Sequence, residues 1–145
     1  MAIVSNGIPV TTTSSAALTG LRLLGVKKLT FVGPYDHEVT ERGRIFFGQN
    51  GFDVLASRGL GYQKDIDVGA ISLERVYHLV RESTHPDSDG VFISCTNLRA
   101  VGAIETLESD LGIPVLSAIQ SSFWHALRIA GIKASRPGFG RLFEF

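Results

Sequence analysis

The sequence predicts an α/β protein built on an open, doubly wound parallel sheet with helices on both faces. Two observations carry that prediction. Short apolar runs rich in β-branched and aromatic residues alternate with segments of helical period, and the connections between them are short, which is the pattern of parallel βαβ units. Right-handed crossovers then distribute the helices over the two faces. The chain has 145 residues, 44% hydrophobic and 19% charged, enough for one ordinary domain with a real core.

The elements follow in order. Gly7 to Val10 reads G-I-P-V, and Thr11 to Ser15 is a polar, cap-rich run. From Ala16 a helix places Leu18, Leu21 and Leu24 on one side and stops at Gly25. Lys28 to Val32 is the next strand, closed by Gly33-Pro34-Tyr35. Asp36 caps a helix running to Asn50, with Val39, Phe46 and Phe47 on its apolar side. Gly51 ends it, and Phe52 to Ala56 reads as a strand. A glycine-bearing loop from Arg58 to Gly69 leads to a helix capped by Ser72, whose core face is Leu73, Val76, Leu79 and Val80. The polar His85–Asp89 segment turns into Val91, Phe92 and Ile93, a strand buried on both faces. Pro114 to Ser117 is the last strand. Gln120 to Ala130 is the last helix, with Phe123, Leu127 and Ala130 inward.

Cys95, the only cysteine, directly follows the buried strand. Thr96 and Asn97 are cap-forming residues, and Leu98, Val101, Ile104, Leu107 and Leu111 then recur at helical spacing. This pattern predicts a thiol where a strand's carboxyl end becomes a helix amino terminus, a position that favours a thiolate. In a flavodoxin-like sheet of about four strands in the order 2-1-3-4, the strands at Lys28 and Val91 lie side by side. Ligands bind beyond the carboxyl ends at that switch point. Tyr35 and Cys95 therefore share a cleft, with Thr96 and Asn97 as nearby hydrogen-bond donors. The set suits binding and attacking a small carboxylate.

An internal repeat adds a domain expectation. Gly7-Ile8-Pro9-Val10 recurs as Gly112-Ile113-Pro114-Val115, Leu21-Arg22 as Leu127-Arg128, and Gly25-Val26-Lys27 is echoed by Gly131-Ile132-Lys133. The repeat predicts that residues 1–27 are the terminal strand and helix of a first domain whose front is missing. Residues 28–132 then form a complete second domain. The tail, 133–145, is expected to return to the first.

Several function classes are excluded or disfavoured. Lys+Arg and Asp+Glu both number 14, so no basic field gathers nucleic acid or anionic membrane. Zero formal net charge mildly favours a homo-oligomer. No apolar run approaches the ~20 residues that span a bilayer. The amino terminus has no signal-peptide pattern and a lone cysteine suits a reducing compartment, so a cytoplasmic location is expected. His37, His78, His85 and His125 lack metal-ligand spacing. Gly59-Leu60-Gly61 lacks the Lys-Ser/Thr of a phosphate loop and reads as a plain loop. Arg99 is expected to be solvated or ion-paired, and Trp124 to serve packing or an interface.

The motifs together resemble the aspartate/glutamate racemase superfamily, in its branch of maleate cis-trans isomerase and arylmalonate decarboxylase. The matching residues are S-C-T-N-L-R at Ser94–Arg99, I-E-x-L-E-x-x-L-G-x-P-V at Ile104–Val115 and W-x-x-L-R at Trp124–Arg128. T-S-S-A at Thr13–Ala16, P-Y at Pro34–Tyr35 and G-x-G-R-L at Gly138–Leu142 join them. The resemblance implies two pseudo-symmetric flavodoxin-like domains with the site between them, acting on small dicarboxylates without a cofactor. It implies that Cys95 is the second-domain catalytic cysteine, that Tyr35 contacts substrate, and that Thr96 offers its N–H and hydroxyl to a carboxylate. The leading expectation is a cis-trans isomerase or racemase acting on a small dicarboxylate such as maleate through a cysteine thiolate. The alternatives are an arylmalonate-type decarboxylase using the single cysteine and a non-catalytic anion-binding or oligomerisation remnant. Gly33 and Ile119 stand where the family usually has Thr and Asn.

Overall fold

A computed structural model describes residues 8–133 and 135–145. Four parallel strands, β1 (Lys28–Gly33), β2 (Asp53–Gly59), β3 (Gly90–Ile93) and β4 (Val115–Ser117), stand in the order β2-β1-β3-β4. This is the expected 2-1-3-4 sheet. Alternation along the strands divides the core in two. Val32, Val91, Ile93 and Val115 face one side, where they pack on α4 (Leu73–Ser83), the turn Val101–Ala103 and α5 (Ile104–Leu111). Leu29, Phe31, Phe92 and Leu116 face the other, against α1 (Thr13–Leu23), α2 (His37–Gln49) and α6 (Ala118–Ile129). Helices therefore cover both faces.

The two helices of the sequence repeat start and stop alike. Thr12 caps α1 and Ser117 caps α6, each in a reciprocal capping box with the residue three further on, Ser15 or Gln120. After each helix comes a left-handed glycine, Gly25 at φ 74° and Gly131 at φ 75°. Both helices contribute to one core, with Ala17 and Leu21 of α1 beside Ala118 and Trp124 of α6. Of the G-I-P-V run, Gly7 lies outside the described residues, Ile8 is a single bridge residue, and Pro9 and Val10 belong to no strand.

The tail closes back over this core. Leu142 and Phe143, in a 3-10 turn spanning Arg141–Glu144, are buried. Glu108 of α5 is also buried, and it accepts from Val115 N with Oε1 and Arg141 N with Oε2, both at 2.9 Å. Gln120 Nε2 donates to the Phe139 carbonyl at 2.5 Å. Trp124 is packed in the core, as expected.

Four expected core positions face outward, and one of them is Ala130, exposed where it caps the carboxyl end of α6. Leu73 is 42% exposed, at the first position of α4, and lies against Gly102. Val39 is 40% exposed, in the first turn of α2. Phe123 is 56% exposed and stacks on Phe143 of the tail, while its neighbour Trp124 takes the inward position. The loop expected from Arg58 to Gly69 contains a short helix, α3 (Asp65–Gly69). The helix expected directly after Cys95 begins only at the turn from Val101, with α5 from Ile104.

Candidate active site

The carboxyl ends of β1 and β3 position the two residues of interest. Val32 and Ile93 are paired in register, and Ser94 N extends the ladder by donating to Val32 O at 2.7 Å. Beyond those ends lie Tyr35 and Cys95, which line one cavity of about 350 Å³ with Tyr62, Gln63, Asp65 and Val68. The structure thus brings together the phenol and the thiol expected to be neighbours.

Cys95 has φ 88°, the only positive value at a non-glycine residue among the described residues. A side chain with a Cβ meets its own backbone there, at a cost of about 1–3 kcal/mol, and such strain clusters at functional sites. The thiol is half-buried.

Tyr35 lies just past the end of β1, half-buried, and its hydroxyl is 3.3 Å from Ser94 Oγ. Burial pushes its phenol above the ordinary tyrosine value. The Ser94 hydrogen bond opposes that rise, and the neighbouring Cys95 and Asp65 add to it. At neutral pH the phenol therefore keeps its proton and can donate it to a carboxylate.

Thr96 and Asn97 sit elsewhere. Both are exposed, and they line an adjacent cavity with Ser72, Leu73 and Arg99. Asn97 Nδ2 donates to the Asp65 carbonyl at 2.7 Å, and Arg99 donates to the Gly69 carbonyl at 2.8 and 3.1 Å. These bonds staple the turn after the thiol to α3. Neither Thr96 nor Asn97 caps a helix, since Ala100 and Ala103 hold the positions before Val101 and Ile104. The helix-terminus environment expected for Cys95 is therefore absent. An irregular turn, closed by Leu98 N donating to Cys95 O at 3.4 Å, intervenes.

Tyr62, Gln63, Asp65 and Ser94 escaped the sequence reading. The first three belong to the β2–α4 connection, which was read as a plain loop. In an open parallel sheet every strand-to-helix loop gathers at one edge, so that connection had to border the cleft. Among the described residues, no group of His, Cys, Asp and Glu could hold a metal ion, and no helix is long and apolar enough to cross a membrane.

Comparison with known proteins identifies the relatives. A sequence profile described as arylmalonate decarboxylase matches residues 2–143. The chain is 36% identical over 143 residues to the arylmalonate decarboxylase of Bordetella bronchiseptica, covering 97% of this chain and 60% of that protein. It is 29% identical to a maleate isomerase of Geobacillus stearothermophilus, covering 92% of this chain and 54% of that protein. A solved structure of a Nocardia farcinica maleate cis-trans isomerase mutant, with a covalently bound succinylcysteine intermediate, superposes with a TM-score of 0.87 at 28% identity. That likeness covers 90% of this chain and 54% of the other. The chain thus spans little more than half the length of the relatives it matches. Sequence profile, shared identity and fold agree that it belongs to the family of arylmalonate decarboxylase and maleate isomerase.

Proposed function

We propose that this chain carries the thiol-bearing half of a cofactor-independent active site that isomerises a small unsaturated dicarboxylate such as maleate. The observation that supports it best is the strained cysteine, held at φ 88° in one cavity with a protonated tyrosine. In this reading the Cys95 thiolate adds to one carbon of the double bond. The displaced electron pair moves onto the neighbouring carbon and its carboxylate, which Tyr35 steadies by donating its O–H. The former double bond is now single and rotates. Collapse of the same electron pair expels the thiolate and leaves the trans isomer, with no net proton or redox change. The covalent succinylcysteine on the Nocardia farcinica isomerase mutant is the protonated counterpart of the carbanionic adduct this path forms. Thr96 and Asn97, which line the adjacent cavity, are assigned to the second carboxylate in this reading. Residues 28–132 are the thiol-bearing unit in this reading, α1 belongs to the end of a first domain, and the tail returns to that domain.

A second reading is supported by the single cysteine and the 36% identity to the decarboxylase. Here an arylmalonate loses one carboxyl group as carbon dioxide, and the Cys95 thiol protonates the carbanion left behind. One experiment separates the two. Purified wild type and Cys95→Ser are assayed for conversion of maleate to fumarate and for carbon dioxide release from an arylmalonate. Maleate turnover lost in Cys95→Ser supports the isomerase. Carbon dioxide release alone supports the decarboxylase. No turnover of either, with a slowly alkylated thiol, points to a non-catalytic anion-binding or oligomerisation module.

A further inference from the structure

We propose that Ser94 is a positioning residue for the Cys95 site: its hydroxyl donates to the Tyr35 phenol oxygen and so turns the phenol's own proton into the thiol cavity. The two oxygens are 3.3 Å apart, and on distance alone either could be the donor. The surroundings set the direction. Ser94 and Cys95 are consecutive, yet they line different cavities. Ser94 borders one of about 300 Å³ with Phe31, Phe46, Phe47 and Phe92 in its walls, whereas Cys95 borders the cavity already described. Tyr35 lines both, so its ring stands between them. A hydroxyl among phenyl rings finds few acceptors, and the phenol oxygen is the one the structure gives it.

The backbones on both sides hold the pair at this separation. Ser94 N donates to Val32 O at 2.7 Å, which fixes the serine at the end of the β3 ladder. Gly61 N donates to Tyr35 O and Tyr62 N to Pro34 O, each at 2.8 Å, which fixes the main chain that carries the tyrosine. When a carboxylate enters the thiol cavity, the phenol donates to it rather than to a neutral hydroxyl, because a charged acceptor makes the stronger hydrogen bond. The phenol oxygen then accepts from Ser94, and the bonds from serine to phenol and from phenol to carboxylate polarise each other. This chain strengthens as electron density builds on the carboxylate, so its contribution falls on the reaction step more than on binding.

The inference rests on the reading of Tyr35 as a donor to a substrate carboxylate, but its first test needs no turnover. In the full 145-residue chain, the Tyr35 phenol is titrated by carbon-13 NMR of ring-labelled tyrosine. Tyr35→Phe assigns its signal, and Tyr77, whose hydroxyl donates to Asp110, is the internal control. Ser94→Ala removes one oxygen beside an apolar cavity, a change the fold tolerates. A donor to the phenol oxygen favours the phenolate, so its loss raises the Tyr35 midpoint above that of wild type. Ser94→Thr keeps the hydroxyl and restores the wild-type midpoint. A midpoint in Ser94→Ala that is unchanged, or that falls toward free tyrosine, overturns the proposal. The serine then makes no bond, accepts from the phenol, or merely holds the ring in place. In turnover of maleate, Ser94→Ala is expected to lower kcat about 3- to 10-fold at nearly constant KM, and to change nothing in a Tyr35→Phe background. An equal loss in that background shows a role that bypasses the phenol and also overturns the proposal. Absence of maleate turnover in wild type sinks the proposed function instead and leaves the titration to decide.

Discussion

Cys95 joins two physical facts at one residue: a thiol at the carboxyl edge of the sheet and a backbone with φ 88°. The second makes a prediction that does not depend on chemistry. A Cβ at positive φ costs about 1–2 kcal/mol, and glycine loses about half of that advantage through its freer unfolded chain. Cys95→Gly is therefore expected to be more stable than Cys95→Ala by about 1 kcal/mol in urea unfolding, the reverse of the usual order in strands and helices. Equal or lower stability of the glycine variant would refute backbone strain at this site. The natural residue keeps the strain, as expected where a reactive group must be aimed. Tyr35→Phe removes the only donor that the phenol offers, and kcat/KM is expected to fall about 10²-fold.

At the scale of elements, the paired caps of α1 and α6 are alike in chemistry and unlike in surroundings. Thr12 is exposed, so Thr12→Ala leaves the Ser15 N–H open to water and costs about 0.5–1 kcal/mol. Ser117 and Gln120 are buried, so Ser117→Ala orphans the Gln120 N–H inside the protein and costs about 1–3 kcal/mol. Thermal unfolding of both variants tests the ranking. Cap residues and stop glycines are local signals, which is why these helices were legible in the sequence. The start of α5 was not. Leu98 has the right spacing and is buried, yet it belongs to a turn whose shape is set by Asn97 and Arg99 bonding across to α3. Periodicity records which residues are buried and cannot tell a helix from a turn that buries one residue.

At the scale of the whole molecule, Glu108 ties α5, β4 and the tail together through two backbone N–H groups. Burial raises its carboxyl above the ordinary glutamate value, and the two amides and Arg141 only partly offset this. The folded protein therefore holds that proton more tightly than the unfolded chain. The contribution of Glu108 to stability is greatest below its unfolded value and declines as pH rises to the raised folded value, beyond which it is flat. Glu108→Gln should flatten the pH dependence of unfolding in that interval. Because an amide NH₂ would face a backbone N–H, it should also cost about 1–3 kcal/mol at neutral pH. A variant whose pH dependence matches wild type would exclude Glu108 as the titrating group.

The sheet, its strand order, most helix limits and the pairing of Tyr35 with Cys95 were determined by the sequence alone. Each depends on local pattern plus one topological rule: parallel strands joined by right-handed crossovers bring their carboxyl ends to one edge. Only the tertiary structure decided the rest. Asn97 and Arg99 are occupied by carbonyls 32 and 30 residues away. Gly59 leaves room for the Tyr35 carbonyl, and the β2–α4 loop supplies cavity walls. Those outcomes depend on which distant backbone groups meet, and hydrogen bonds and steric contacts of that kind leave no periodic trace along the chain.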